Sequence, residues 1–217
     1  MFLRSRLYAI VDTGLLGDRV VPGAVEALLA GGVRLLQYRH KGPFMRRHFD
    51  DCRAIAEMAR SAGALFLVND RADAALLAGA GGVHVGQDDL PPVRVRGFLP
   101  ADQRIGFSTH NLEQACAGAR LPVDYLAIGP VFPTATKERP DTVIGLATVR
   151  ACRDAIRAAA AEAGKPAPPL VAIGGITLDN AHSVLAAGAD AVAVARDLLS
   201  AGDLRERARQ FVERLDS

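Results

Sequence analysis

Little in this chain marks it for a specialised class of protein. Three cysteines, Cys52, Cys116 and Cys152, occur in 217 residues. They are far apart, odd in number and set in helical patterns. That excludes a disulfide framework and zinc-type spacing, and fits a reducing cytosol. Long apolar runs are missing too. Leu7-Tyr8-Ala9-Ile10-Val11 is broken at once by Asp12, too soon for a secretory leader or a spanning helix, so a cytoplasmic location is expected. Charge of one sign is scarce: 26 Lys and Arg against 24 Asp and Glu leave +2, which gives no general nucleic-acid footprint and no membrane signal. No Gly-x-Gly-x-x-Gly turn follows the first strand-like run, no Gly-Lys-Ser/Thr phosphate loop exists, and Ser108 has no Gly-x-Ser-x-Gly elbow. No low-complexity tail appears; the alanine-rich stretch at 158–163 is helix composition.

What is present is apolar and repetitive. Half of the residues are hydrophobic. A helix-like segment ends in glycine and a short apolar run follows. Ala30-Gly31-Gly32-Val33 precedes Leu35-Leu36-Gln37-Tyr38, Gly79-Ala80-Gly81-Gly82-Val83 precedes His84-Val85, and Ala187-Gly188-Ala189-Asp190-Ala191-Val192 precedes Ala193-Val194. Glycine just past a helix accepts a left-handed backbone. Eight strands are expected, near 7–11, 34–38, 65–68, 82–85, 104–107, 125–128, 170–173 and 191–194. They lack clean alternation, as strands covered on both faces do. Between them, 72–78 reads as a helix, Val25, Leu28 and Leu29 share one helical face, and Leu178, Ala181, Val184 and Leu185 share another, opened by Thr177 as N-cap. Eight βα units predict an α/β fold, a (β/α)8 TIM barrel forming a single domain over 1–217. An open doubly wound sheet is the rival.

In a barrel the chemistry lies at the C-terminal strand ends. Those ends carry Asp12; Gln37-Tyr38-Arg39-His40-Lys41; Asn69-Asp70; Gly86-Gln87-Asp88-Asp89; Ser108-Thr109-His110; Gly129 through Lys137; Gly174-Gly175-Ile176; and Ala195-Arg196. Asp70 and Asp89 fall at the same end of neighbouring strands, an oxygen pair that suits a hard divalent ion such as Mg²⁺. Each also has a plainer reading: Asp70 as the cap of the helix that follows, Asp88-Asp89 as a turn. Arg39, Lys41 and Lys137 add three cations, enough for a diphosphate, although Arg39 and Lys41 also read as solvated charges. Gly174-Gly175 and Ala195-Arg196 each lead towards a helix whose N-terminal amides would receive a second phosphate. Asp12 is left unassigned. His84 reads as a hydrogen-bonded core histidine, His40 and His48 as surface residues and His182 as a helix residue, while His110 is within reach as an acid or base. No nucleophile–base pair emerges, and no cysteine stands at a strand end.

These pieces together resemble the thiamine-phosphate synthase family almost end to end. The resemblance rests on Gln37-Tyr38-Arg39-His40-Lys41, Val68-Asn69-Asp70-Arg71, Gly82-Val83-His84-Val85-Gly86-Gln87-Asp88-Asp89, Gly106-Phe107-Ser108-Thr109-His110, Pro133-Thr134-Ala135-Thr136-Lys137 and Ala172-Ile173-Gly174-Gly175-Ile176. It implies a barrel that condenses 4-amino-2-methyl-5-(diphosphooxymethyl)pyrimidine with a thiazole phosphate, releasing thiamine phosphate and pyrophosphate by a dissociative route with no protein nucleophile. It implies Mg²⁺ on Asp70 and Asp89. Arg39, Lys41, Asn69, Ser108 and Lys137 become diphosphate contacts within a motif that includes Gln37, Tyr38 and His40, of which His40 is expected to face away. Thr134, Ala135, Thr136, Gly175, Ala195 and Arg196 become the thiazole-phosphate site. Arg196 departs from the serine usual in the family. The partners implied are these small molecules, with neither nucleic acid nor membrane, and a homo-oligomer is compatible with the sequence. A thiazole tautomerase on the same barrel is the nearer alternative, but it would not need Asp70, Asp89 or Lys137. A non-catalytic thiamine-phosphate binding protein is the other, against which the intact set of metal and diphosphate groups argues. The polar run from Thr134 to Val143 is read as a lid.

Overall fold

The computed structural model describes residues 5–134 and 142–216. Eight parallel strands close into a barrel in sequence order, with the last paired to the first. They are β1 Leu7–Asp12, β2 Leu35–Arg39, β3 Leu65–Asn69, β4 Gly82–Val85, β5 Arg104–Thr109, β6 Tyr125–Ile128, β7 Leu170–Ile173 and β8 Ala191–Val194. Around them lie α1 Val21–Ala30, α2 Arg46–Ser61, α3 Ala72–Ala78, α4 Pro92–Arg96, α5 Leu112–Ala119, α6 Gly145–Glu162, α7 Ala181–Ala186, α8 Arg196–Leu199 and α9 Leu204–Asp216. The expected barrel and all eight expected strands are present; the open sheet is excluded by the β1–β8 pairing. Among the described residues no helix is long and apolar enough to cross a membrane.

The missing alternation has a structural reason. Outward-facing Leu7, Ala9, Val11, Leu36, Phe66, Val68, Val83 and Val85 are buried under the helices. Their inward neighbours Tyr8, Ile10, Leu35, Leu67, Tyr125, Ala127, Val171, Ala191 and Ala193 fill the lumen. Both faces are apolar, so period two does not show. Helices supply the outer half of that core from one stripe each: Cys52, Ile55, Ala56 and Ala59 on α2, and Val25, Leu28 and Leu29 on α1. Each fully buried leucine or isoleucine of this layer contributes roughly 1.5–3 kcal/mol.

Two local expectations are corrected. Thr177 does not cap α7, which begins at Ala181; instead the Asn180 carboxamide accepts from the Thr177 N–H and donates to the Gly175 carbonyl, strapping the turn after β7. His48 is not a surface residue. It is 4% exposed, its Nδ1 accepts from the Met45 N–H, and its ring stacks on His40 at 3.8 Å. Burial and the neighbouring His40 lower its pKa.

Candidate active site

The polar strand ends divide into two regions at the barrel mouth. The first is built by β2, β3 and β4. Strand alternation turns Gln37 and Arg39 into the barrel, while Tyr38 points out to α2 and bonds Asp51. Arg39 is anchored by a short ion pair to Asp12, which is buried and also accepts from the Gly14 N–H. Lys41 Nζ lies 2.6 Å from the Asp70 carboxylate. That pair is largely exposed, so it adds little to stability and leaves the ammonium available.

Asp70 has φ 64°, the one positive-φ residue other than glycine among those described. It sits inside a tight turn in which the Arg71 N–H donates to the Asn69 carbonyl across it, while its own N–H donates to the His84 carbonyl at 2.7 Å. The capping role is not taken: Arg71 occupies the position before α3 and no side chain caps it. Arg71 itself turns away to a two-pronged contact with Asp73 and lies over the Phe44 ring. A non-glycine residue held at left-handed φ costs of order 1–3 kcal/mol, and asparagine and aspartate bear it best.

Asp89 accepts from the Gly86 N–H at 2.7 Å. Its carboxyl is pushed above the usual range, first by burial and then by its contact with Asp70. The acidic groups of the third and fourth strand ends therefore meet. Two abutting carboxylates repel unless a proton or cation stands between them. Among the described residues no cluster of three or more His, Cys, Asp or Glu could hold a metal ion; as a donor set, two carboxylates match an ion that takes one or two of them and keeps its waters. Beside it, the Asn69 side-chain nitrogen is buried with no hydrogen-bond partner among the described residues. Such a donor awaits an acceptor from outside the chain.

The second region is a cavity of about 580 Å³ walled by the ends of β5 to β8, by Ile10 and Asp12 of β1 and by Arg39 of β2. Ser108, Thr134, Gly175, Ala195 and Arg196, expected from the sequence, all line it, together with His110, Thr177 and the apolar Ile10, Ile173 and Ile176. His110 Nδ1 lies 3.0 Å from the Gly129 carbonyl. Gly174 and Gly175 have φ 99° and 64°. A side chain on Gly175 would meet the Pro133 carbonyl at 2.5 Å, so only glycine fits this wall. The pair does not run straight into a helix, contrary to expectation; a turn over 177–180 intervenes before α7. The turn is tied to α8 by Asp197, which accepts from the Leu178 N–H and pairs with Arg207 of α9.

His40 turns towards Thr13 and His48. Ala135, Thr136 and Lys137, and with them most of the expected lid, lie outside the described residues. Sequence reasoning left Asp12 unassigned although it stood visibly at a strand end. It gave no role to Tyr8 and Tyr125, whose inward direction no local signal reveals.

Residues 7–198 match the family model described as thiamine monophosphate synthase. The chain belongs to the thiamine-phosphate synthase family. It is 45% identical to the thiamine-phosphate synthase of Koribacter versatilis over 98% of this chain and 96% of that one. It is 39% identical to that of Chloroflexus aurantiacus, over 95% and 90%. Among solved structures it resembles the thiamine phosphate pyrophosphorylase from Pyrococcus furiosus, with a TM-score of 0.82 and 32% identity over 97% of this chain and 95% of that one. As a thiamine-phosphate synthase family member it is an enzyme of the transferase class.

Proposed function

We propose that this thiamine-phosphate synthase uses the two regions of its mouth for its two substrates. The pyrimidine diphosphate lies against the β2–β4 ends, and the thiazole phosphate sits in the β5–β8 cavity. The observation that carries the reading is the meeting of Asp70 and Asp89 beside Lys41, with an orphaned Asn69 donor next to them.

Mg²⁺ fits this oxygen pair. When bound, it would neutralise charge on the departing pyrophosphate. The chain's own groups do the rest. Arg39, held by Asp12, Lys41 and Ser108 hold the diphosphate oxygens, and Asn69 Nδ2 donates to one of them; Lys137 adds a cation from beyond Thr134. As the carbon–oxygen bond breaks, its electron pair leaves with pyrophosphate, and the aminopyrimidine delocalises the positive carbon. The thiazole nitrogen then supplies the pair for the new carbon–nitrogen bond. Fixed cations and donors aimed at the leaving group accelerate such a step because their orientation precedes the reaction. The apolar wall of Ile10, Ile173 and Ile176 suits the thiazole ring and keeps water from the carbocation. The Gly174-Gly175 turn, Ala195 and Arg196 receive its phosphate.

No member of this set is a nucleophile, which agrees with a dissociative step. A tautomerase would have no use for the paired carboxylates. The test is direct. Both half-molecules and Mg²⁺ should give thiamine phosphate and pyrophosphate in equal amounts, and chelation should stop the reaction. Turnover indifferent to chelation, or no coupled product, would contradict the reading.

A further inference from the structure

Beneath the cavity floor, five side chains from five strands form one hydrogen-bonded chain. Gln37 Nε2 donates to the Tyr8 hydroxyl at 2.7 Å. Tyr8 and Tyr125 hydroxyls are 2.9 Å apart. Tyr125 Oη is 2.8 Å from His84 Nδ1, and His84 Nε2 is 2.8 Å from Ser108 Oγ. Only Ser108 of the last three belongs to the cavity wall. Tyr8, Gln37, His84 and Tyr125 are all buried. The barrel makes room for this chain: a Cβ on Gly106 would lie 2.1 Å from the Tyr125 ring.

One order of donors runs through the whole chain. An amide nitrogen only donates, so Tyr8 accepts from Gln37; either hydroxyl of the Tyr8–Tyr125 pair can supply the proton between them, and the order that runs on from Gln37 has Tyr8 donating. In that order Tyr125 passes its proton to His84 Nδ1. That makes Nδ1 the acceptor, fixes the neutral ring with its proton on Nε2, and turns that N–H onto Ser108 Oγ. Burial keeps both tyrosines protonated by raising their pKa values. In that order Ser108 accepts from below, which leaves its own hydroxyl proton for the cavity.

We propose that Tyr8, Tyr125 and His84 are positioning residues that polarise Ser108, so that its hydroxyl serves as a donor to the diphosphate. The proposal rests on the reading of Ser108 as a diphosphate contact. A hydroxyl free to rotate would divide its time between donating and accepting; one with its acceptor side filled meets an anion ready to donate.

Nitrogen-15 NMR of histidine in the intact wild-type enzyme reads the tautomer without turnover. The Nε2–H form of His84 is expected, and Tyr125→Phe should shift it towards a mixture. An Nδ1–H ring in wild type overturns the proposal whether or not the enzyme makes thiamine phosphate. Kinetics give the second readout. Tyr125→Phe should lower kcat about tenfold, the scale of one weakened hydrogen bond to a charged group, with the KM for thiazole phosphate unchanged. In a Ser108→Ala background the same change should cost less than about twofold, because the group it acts through is gone. An equal cost in both backgrounds means a structural role only and overturns the proposal. Tyr8→Phe, one step further along the chain, repeats the test if Tyr125→Phe folds poorly, and the same outcomes decide.

Discussion

The two regions of the barrel mouth solve opposite problems. The β1–β4 ends concentrate charge: Asp12 with Arg39, Lys41 with Asp70, and Asp89 against Asp70. They keep it under strain, with Asp70 in a left-handed conformation and the Asn69 nitrogen buried without a partner among the described residues. The β5–β8 ends wall a cavity with glycine and isoleucine, and the charged groups on its lining, Asp12, Arg39, Arg196 and Asp197, balance in sign. On the proposed reading one region takes a cation and an anion; the other is a shaped space. The difference teaches where binding energy goes. Charge that builds up in the transition state needs preset charges to meet it, while a neutral ring that must only be held in line needs a dry, close wall.

The contrast can be broken from the charged side first. Asp89→Ala should lower Mg²⁺-dependent turnover by about 10²–10³-fold, the scale of removing preorganised transition-state stabilisation, while circular dichroism and the thermal midpoint show an intact fold. Unchanged kinetics would remove Asp89 from the metal site. Lys137→Ala should cost roughly 1.5–3 kcal/mol in use of the pyrimidine diphosphate, measured as kcat/KM, with little change for thiazole phosphate. The reverse pattern would invert the division of the mouth.

The neutral side has its own lever. Gly175→Ala forces a side chain into a left-handed site already in contact with Pro133 and Phe132. It should destabilise by roughly 1–3 kcal/mol and raise the KM for thiazole phosphate, while pyrophosphate binding with Mg²⁺ persists.

Smaller effects sharpen the contrast through stability. Without Mg²⁺, Asp70→Asn keeps a residue that tolerates left-handed φ and removes the repulsion with Asp89. The midpoint should rise by about 2–4 °C, the shift expected for roughly 1 kcal/mol in a chain of this size, while activity is lost. Asp70→Ala should lower it instead, because alanine bears that conformation poorly.

The pH dependence follows from Asp89. Its native pKa is raised, so on raising pH above about 4 the unfolded chain releases this proton before the native state does. Metal-free wild type should therefore lose stability relative to Asp89→Asn as pH rises from there through the native pKa. The gap should close again on acidification, as followed by thermal melts across that range. A constant gap would mean that Asp89 is not strained by its neighbour.

Much of this was legible in the residues because eight apolar runs separated by glycine-ended helices admit few topologies, and because a barrel collects its strand ends at one rim. Asp70, Asp89, Arg39 and Ser108 could be read that way. Tyr8 and Tyr125 could not. An inward tyrosine and the outward Tyr38 look alike when both faces of a strand are apolar. Nor does composition reveal that Asp70 takes a left-handed backbone, that Arg39 leans on Asp12, or that a turn separates Gly175 from α7. Those follow from pairings across strands that are far apart in sequence.

The central claim is that the β2–β4 ends bind pyrophosphate through a cation and the β5–β8 cavity binds thiazole phosphate without one. Titration calorimetry of each ligand, with and without Mg²⁺, tests it most directly. Pyrophosphate should bind tightly only with Mg²⁺, and thiazole phosphate equally well in both conditions. Pyrophosphate binding that ignores Mg²⁺, or thiazole phosphate binding that requires it, would contradict the account.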